Sequence, residues 1–105
     1  MAIKRIWHGW TTPENAKAYS LIFDQEVRPG IEAKNIQGFQ GLQLLSRDLG
    51  NEVEFMTIMS FESLENIIPF QGNDYERAYI PDVARAVLSR WDDVCEHYEF
   101  VESRM

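Results

Sequence analysis

Cysteine occurs once in these 105 residues, at Cys95, and histidine twice, at His8 and His97. A single thiol excludes an intramolecular disulfide, and its place in a predicted strand reads as a small buried hydrophobe rather than a nucleophile. Two histidines give no HxxH, HxH or HxxxH spacing to pin a metal, so no metal ligand is assigned. The glycines never form a GxGxxG or Walker pattern; those at 30, 38, 41, 50 and 72 suit turns and strand packing. Basic residues are also few: ten against seventeen acids leave a formal charge of −7, and no Lys/Arg stripe relieves it locally. Such a chain repels phosphate backbones and anionic membrane surfaces alike, so neither nucleic acid nor membrane is an expected partner. No apolar run approaches the length that crosses a bilayer, and no apolar h-region follows Lys4 and Arg5. The expected location is the cytoplasm.

Apolar residues, at 45% and evenly spread, argue for an ordered globule, and the length fits one domain over residues 1–105. A core of that size is modest, and dimerisation would add to it. Ile3 to Trp10 mixes β-branched and aromatic residues and reads as a strand. Thr12 then caps a helix with Pro13 at its first position, where a missing N–H costs nothing, and with Glu14 in the first turn. Ala16, Tyr19, Ile22, Phe23 and Val27 form its apolar face, and Arg28-Pro29-Gly30 kinks or ends it before a short piece through Ile31, Ala33 and Ile36.

A hairpin follows, with strands from about Phe39 to Arg47 and Glu52 to Phe61 around the turn Asp48-Leu49-Gly50-Asn51. Val53, Phe55, Thr57, Met59 and Phe61 share one face of the second strand, and Met56 and Ile58 the other. Both faces are therefore apolar in the middle, so something covers each of them. Arg47 is placed to pair with Glu54 across the hairpin. Ser63 caps a short helix with Leu64, Ile67 and Ile68, Gly72-Asn73-Asp74 turns, and Val83, Val87, Leu88 and Trp91 repeat at helical spacing. The last strand covers about Val94 to Val101.

This order predicts an α+β, ferredoxin-like βαββαβ domain: an antiparallel four-stranded sheet with helices on one face. The first and last strands are then neighbours, and a register that sets His8 opposite His97 would bring the two imidazoles together where a proton could be exchanged near neutral pH. A one-residue slip would separate them. The sheet's other apolar face is expected to be covered by a second subunit, giving a homodimeric, closed α+β barrel.

The chain resembles the antibiotic biosynthesis monooxygenase superfamily over about Ile3 to Phe100. The resemblance is carried by Ile6-Trp7-His8-Gly9, by Val27-Arg28-Pro29-Gly30-Ile31 with Ile36-Gln37-Gly38-Phe39-Gln40-Gly41, by Val53-Glu54-Phe55-Met56-Thr57-Ile58 with Phe61-Glu62-Ser63-Leu64, and by His97-Tyr98-Glu99. It implies a pocket between sheet and helices, used by some relatives for cofactor-independent oxidation of polycyclic phenols and quinols by oxygen. Other relatives degrade haem or isomerise lactones, so fold does not settle reaction. The haem-degrading pattern wants an Asn, a Trp and a His where this chain has Trp7, Phe70 and Tyr79 or Ile80, and none of the three matches.

The expected function is accordingly that of an oxidoreductase, a monooxygenase-like protein acting on a small aromatic or polyketide-like compound with no cofactor. His8 and His97 are the candidate bases. Trp7, Trp10, Tyr19, Phe23, Phe61, Phe70 and Tyr79 are the candidate substrate-binding residues, although aromatics at such spacing also serve simply as core. The rival readings are a non-catalytic dimeric barrel that binds or protects a small metabolite, and a stress-related protein with a vestigial pocket.

Overall fold

The computed structural model describes residues 2–72 and 74–104, the side chain of Phe70 excepted. Asn73, in the turn expected at 72–74, and the ring of Phe70 thus lie outside the described residues.

Strand β1 (Ile3–Thr11) alternates strictly, with Ile3, Arg5, Trp7 and Thr11 buried and Ile6, His8 and Trp10 half-buried on the other side. It is the centre of an antiparallel sheet. The hairpin of β2 (Phe39–Asp48) and β3 (Val53–Phe61) lies along one of its edges, with β3 paired to β1 from Ile3↔Phe61 to Thr11↔Val53. Arg47 faces Glu54 across the hairpin and donates to it at 3.0 Å. Along the other edge, the single final strand of the expected four-stranded sheet comes in two pieces, β4 (Arg90–Trp91) and β5 (Glu96–Glu99), which makes a sheet of five strands among the described residues.

The helical layer lies on the face that carries Ile3, Trp7, Phe55 and Phe61. Helix α1 (Pro13–Ile22) starts at Thr12, whose hydroxyl accepts the Asn15 N–H at 3.2 Å, as a cap should. The helix does not stop at Pro29. Phe23–Val27 widens into a π-helical turn, with the Arg28 N–H bonded to the Phe23 carbonyl, and α2 (Arg28–Ala33) continues beyond it. Pro29 has no N–H with which to extend a regular α ladder, and the wider turn accommodates that gap. Three short elements complete the layer: a 3₁₀ turn at Leu64–Asn66 with a Ser63/Asn66 capping box, α3 (Ile68–Gln71) and α4 (Asp82–Arg85).

The helix expected to run through Trp91 ends early. Ser89 N–H donates to the Trp10 carbonyl, and Arg90 lies 3.9 Å over the Trp10 ring while bonding Glu52 at 2.9 and 3.0 Å, so the sheet edge captures this segment. No helix among the described residues is long and apolar enough to cross a membrane.

Two apolar clusters fill the space between sheet and helices. One gathers Trp7, Tyr19, Phe23, Phe55, Ala84, Leu88 and Cys95; the other gathers Ile3, Met59, Phe61 and Ile67. Between them the inward face of the sheet turns polar, at Arg5 on β1 and Thr57 on β3, both buried.

Candidate functional site

A cavity of about 390 Å³ opens along that polar seam. Its floor is Arg5, Trp7, Thr57, Met59 and Cys95; one wall is Tyr19, Val27, Gly30 and Ile31 from the helical arm, and the other is the 78–84 segment, with Glu26 and Lys34 exposed at the mouth. The volume lies within the roughly 300–1,000 Å³ typical of small-molecule pockets, and the lining is mostly apolar with a few convergent polar groups.

Arg5 and Thr57 are turned inward by the alternation of β1 and β3, His97 comes from β5, Tyr19 from α1, and Cys95 lies just ahead of β5. Arg5, 4% exposed, donates from Nη1 to the Tyr75 carbonyl and to His97 Nε2 at 2.9 Å, and from Nη2 to the Arg77 carbonyl at 3.2 Å. These bonds tie β1 and β5 to the 75–77 segment. Because a guanidinium only donates, His97 Nε2 is the acceptor, and any proton on the neutral ring sits on Nδ1. Burial, and secondarily the Arg5 charge, push His97 down to about 4, so the imidazole is neutral at physiological pH. Burial also lowers Arg5, with Cys95 acting the other way, but a guanidinium keeps its proton under any ordinary condition. The Cys95 thiol is raised by burial and only partly drawn back by Arg5, so it is no ready thiolate. Burial lifts the Tyr19 phenol to about 12 despite its hydrogen bond with Thr57, and the ring packs on Phe55 with centroids 4.7 Å apart.

Trp7 is held by an Nε1 hydrogen bond to the Asp92 carbonyl at 2.8 Å, and its indole folds over Gly9. A Cβ on Gly9 would stand 2.5 Å from the ring, so the glycine is what lets the tryptophan lie flat along the strand.

Of the residues expected from sequence, Trp7, Tyr19 and Tyr79 come together in this lining. Phe23 and Phe61 are packed in the two clusters, and Trp10 lies on the opposite face of the sheet beneath Arg90. The two histidines are not brought together. His97 pairs with Arg5 rather than His8 and so shares the inward face, its ring edge-on to Tyr75 at 5.2 Å. His8 pairs with Met56 on the outward face, 3.6 Å from Asp92 and 3.8 Å from Glu54. The register that would have faced one imidazole to the other is displaced by three residues, and an odd displacement exchanges faces. Arg5 is the site residue that sequence reasoning passed over. Its signal was present: in a strand whose odd positions are otherwise Ile3, Trp7, Gly9 and Thr11, a lone cation shares the inward side.

A split βαβ sheet with an apolar hollow under its helical arm defines the class as ferredoxin-like α+β. Solved structures superpose on all or nearly all of the chain. A Bacillus cereus protein provisionally named an antibiotic biosynthesis monooxygenase matches with a TM-score of 0.71 at 14% identity, over 100% of this chain and 96% of that one. One of the same provisional name from Bordetella bronchiseptica matches at 0.66 and 14%, over 96% and 98%. A Mycobacterium tuberculosis protein matches at 0.61 and 13%, over 100% of both chains. At such identities the likeness is one of fold. No family profile matches the sequence, and no curated protein is similar to it by sequence.

Proposed function

We propose that this chain is a member of the antibiotic biosynthesis monooxygenase superfamily. In this reading it admits a small, flat aromatic or polyketide-like compound to the cavity and oxidises it with molecular oxygen, without a bound cofactor. The observation that carries the reading is a mostly apolar cavity with Trp7, Tyr19 and Tyr79 in its lining and the buried Arg5 and Thr57 in its floor. For an anthrone-like substrate the ring methylene would become a carbonyl; one oxygen atom enters the product and the other leaves as water. The chain works as a homodimer in the cytoplasm, with Ile6, Met56, Ile58 and the 46%-exposed Leu45 of the outward face covered by the second copy. His8 then lies in the seam between subunits, and His97 acts at one remove by holding Arg5.

The test is oxygen uptake with a panel of hydroquinones and anthrones, comparing the parent with His8→Ala and His97→Ala. No uptake by the parent on any of them removes the oxidase reading. Uptake that is lost in His97→Ala alone supports it. A second reading, a barrel that binds or protects a metabolite without converting it, is favoured by one feature: the buried phenol and thiol of the cavity, Tyr19 and Cys95, are both shifted upward by burial, which disfavours the basic form of each. Tight binding of an aromatic ligand without oxygen consumption would establish it.

A further inference from the structure

Tyr19 on α1 and Thr57 on β3 are 3% and 9% exposed, both line the cavity, and their hydroxyls bond each other. Each hydroxyl carries one hydrogen. The bond between them uses one of the two, and no other acceptor among the described residues takes the second. We infer that Tyr19 is a ligand-binding residue that donates its O–H to a carbonyl oxygen, with Thr57 behind it as a positioning residue, so that the compound taken by this pocket is an uncharged aromatic ketone. The inference deepens the reading of the cavity given above and rests on it; of the compounds in the oxygen-uptake panel, anthrones carry such a carbonyl and hydroquinones do not.

Three observations support the assignment. The donor is fixed before any ligand arrives: the Tyr19 ring packs on Phe55 with centroids 4.7 Å apart, and its hydroxyl reaches Thr57, the next inward residue of the same strand. A group set in place in this way loses little freedom on binding. The order of the hydrogens also favours the ligand. A phenol is a stronger donor than an aliphatic hydroxyl, and the bond to Thr57 favours the ionised form of the phenol, as a hydrogen given to its oxygen does. In the chain from Thr57 to Tyr19 to ligand the stronger donor therefore meets the carbonyl, polarised further by the bond behind it. Burial nevertheless keeps the phenol protonated up to about 12, so the group presents a hydrogen rather than a charge, which suits a neutral oxygen acceptor. Thirdly, Trp7 stands directly across from Thr57 in the ladder of β1 and β3 and lines the same hollow, so a flat ring whose oxygen meets Tyr19 has the indole beside it.

The probes are 2-acetylnaphthalene and 2-isopropenylnaphthalene, in which a methylene group stands where the ketone has its oxygen, with binding measured by equilibrium dialysis near neutral pH. Tyr19→Phe should weaken the ketone about 3- to 10-fold, the net effect of one neutral hydrogen bond, and leave the hydrocarbon's affinity unchanged. Thr57→Val, which keeps the phenol but removes the bond behind it, should weaken the ketone by a smaller factor. The infrared carbonyl stretch of the isotopically labelled ketone should fall below its frequency in hydrocarbon solvent on binding to the parent and return toward it in Tyr19→Phe, a change that altered packing alone would not produce. Should Tyr19→Phe fail to fold, the stretch in the parent and in Thr57→Val decides. Equal losses for the two probes in Tyr19→Phe, a ketone affinity that the substitution leaves unchanged, or an unshifted carbonyl stretch in the parent each overturn the carbonyl subsite while leaving an aromatic-binding cavity in place. Binding of neither probe by the parent overturns both readings.

Discussion

Acidification should unfold this protein partly through one ring. His97 titrates at about 4 in the folded chain against 6.5 ordinarily, because burial and the Arg5 charge disfavour its protonated form. Below 6.5 the unfolded chain takes up a proton that the folded one refuses, so this group's contribution to stability is complete above that pH and drains away as pH falls toward about 4. Unscreened, the shift corresponds to about 3 kcal/mol, but the ring is partly open to water and screening leaves about 1–2 kcal/mol. For a domain of this size that is a melting-temperature difference of roughly 4–12 °C between neutral pH and the bottom of the window. The assay is thermal unfolding followed by near-ultraviolet circular dichroism across that window, for the parent and for His97→Gln. The glutamine offers Arg5 an oxygen acceptor that does not titrate, and the carboxylates shared by both proteins cancel in the comparison. The variant should lose stability less steeply than the parent on acidification. Parallel curves for the two proteins would refute the argument that His97 is held neutral against Arg5.

Phe61→Ala should cost about 3–5 kcal/mol in equilibrium denaturation, since Phe61 is 0% exposed and its cluster lies where three strands meet the 3₁₀ turn. Gly9→Ala should cost about 1–3 kcal/mol and shift the tryptophan emission, because the new methyl must displace the Trp7 ring from its place along the strand; unchanged emission and midpoint would show that the indole does not need that space. Tyr19→Phe, which strips the hydroxyl bonded to Thr57, should cost about 1 kcal/mol and remove a phenol that ionises only near 12 in a spectrophotometric titration. Ile58→Glu, on the outward face, should convert a dimer to monomer in light scattering; a parent that is already monomeric at micromolar concentration would sink the two-subunit reading.

What the chain revealed before folding, and what it hid, follows from how strongly each pairing is specified. The hairpin was legible because β3 alternates five inward residues from Val53 to Phe61 without a break, and because the Arg47–Glu54 pair and the turn fix its register. The Thr12 cap was legible because its chemistry is local. The last strand was not, because Val94 to Val101 does not alternate cleanly: its inward side holds Cys95, His97 and Glu99. Between the two ladders on β1, the stretch from Gly9 to Ile6 is three steps while the edge chain from Trp91 to Glu96 takes five, the surplus being spent where Cys95 N–H bonds the Glu76 carbonyl and Arg77 bridges Val94. A detour anchored to a distant loop leaves no local pattern. The site inherited that blind spot, since Arg5 owes its orientation to carbonyls seventy and more residues away.

The widened turn at Phe23–Val27 has a consequence for how such a pocket can change. It amounts to one residue more than a regular helix needs, and each residue of a helix turns its successors by about 100°. Removing a single residue there would swing Ile31 and Lys34 off the hollow and bring their neighbours round to it, leaving the sheet and its seam of polar groups untouched. One codon gained or lost in that arm is therefore a route to a new ligand preference on an unaltered scaffold, and a length change at this point is where divergence among proteins of this shape should be sought.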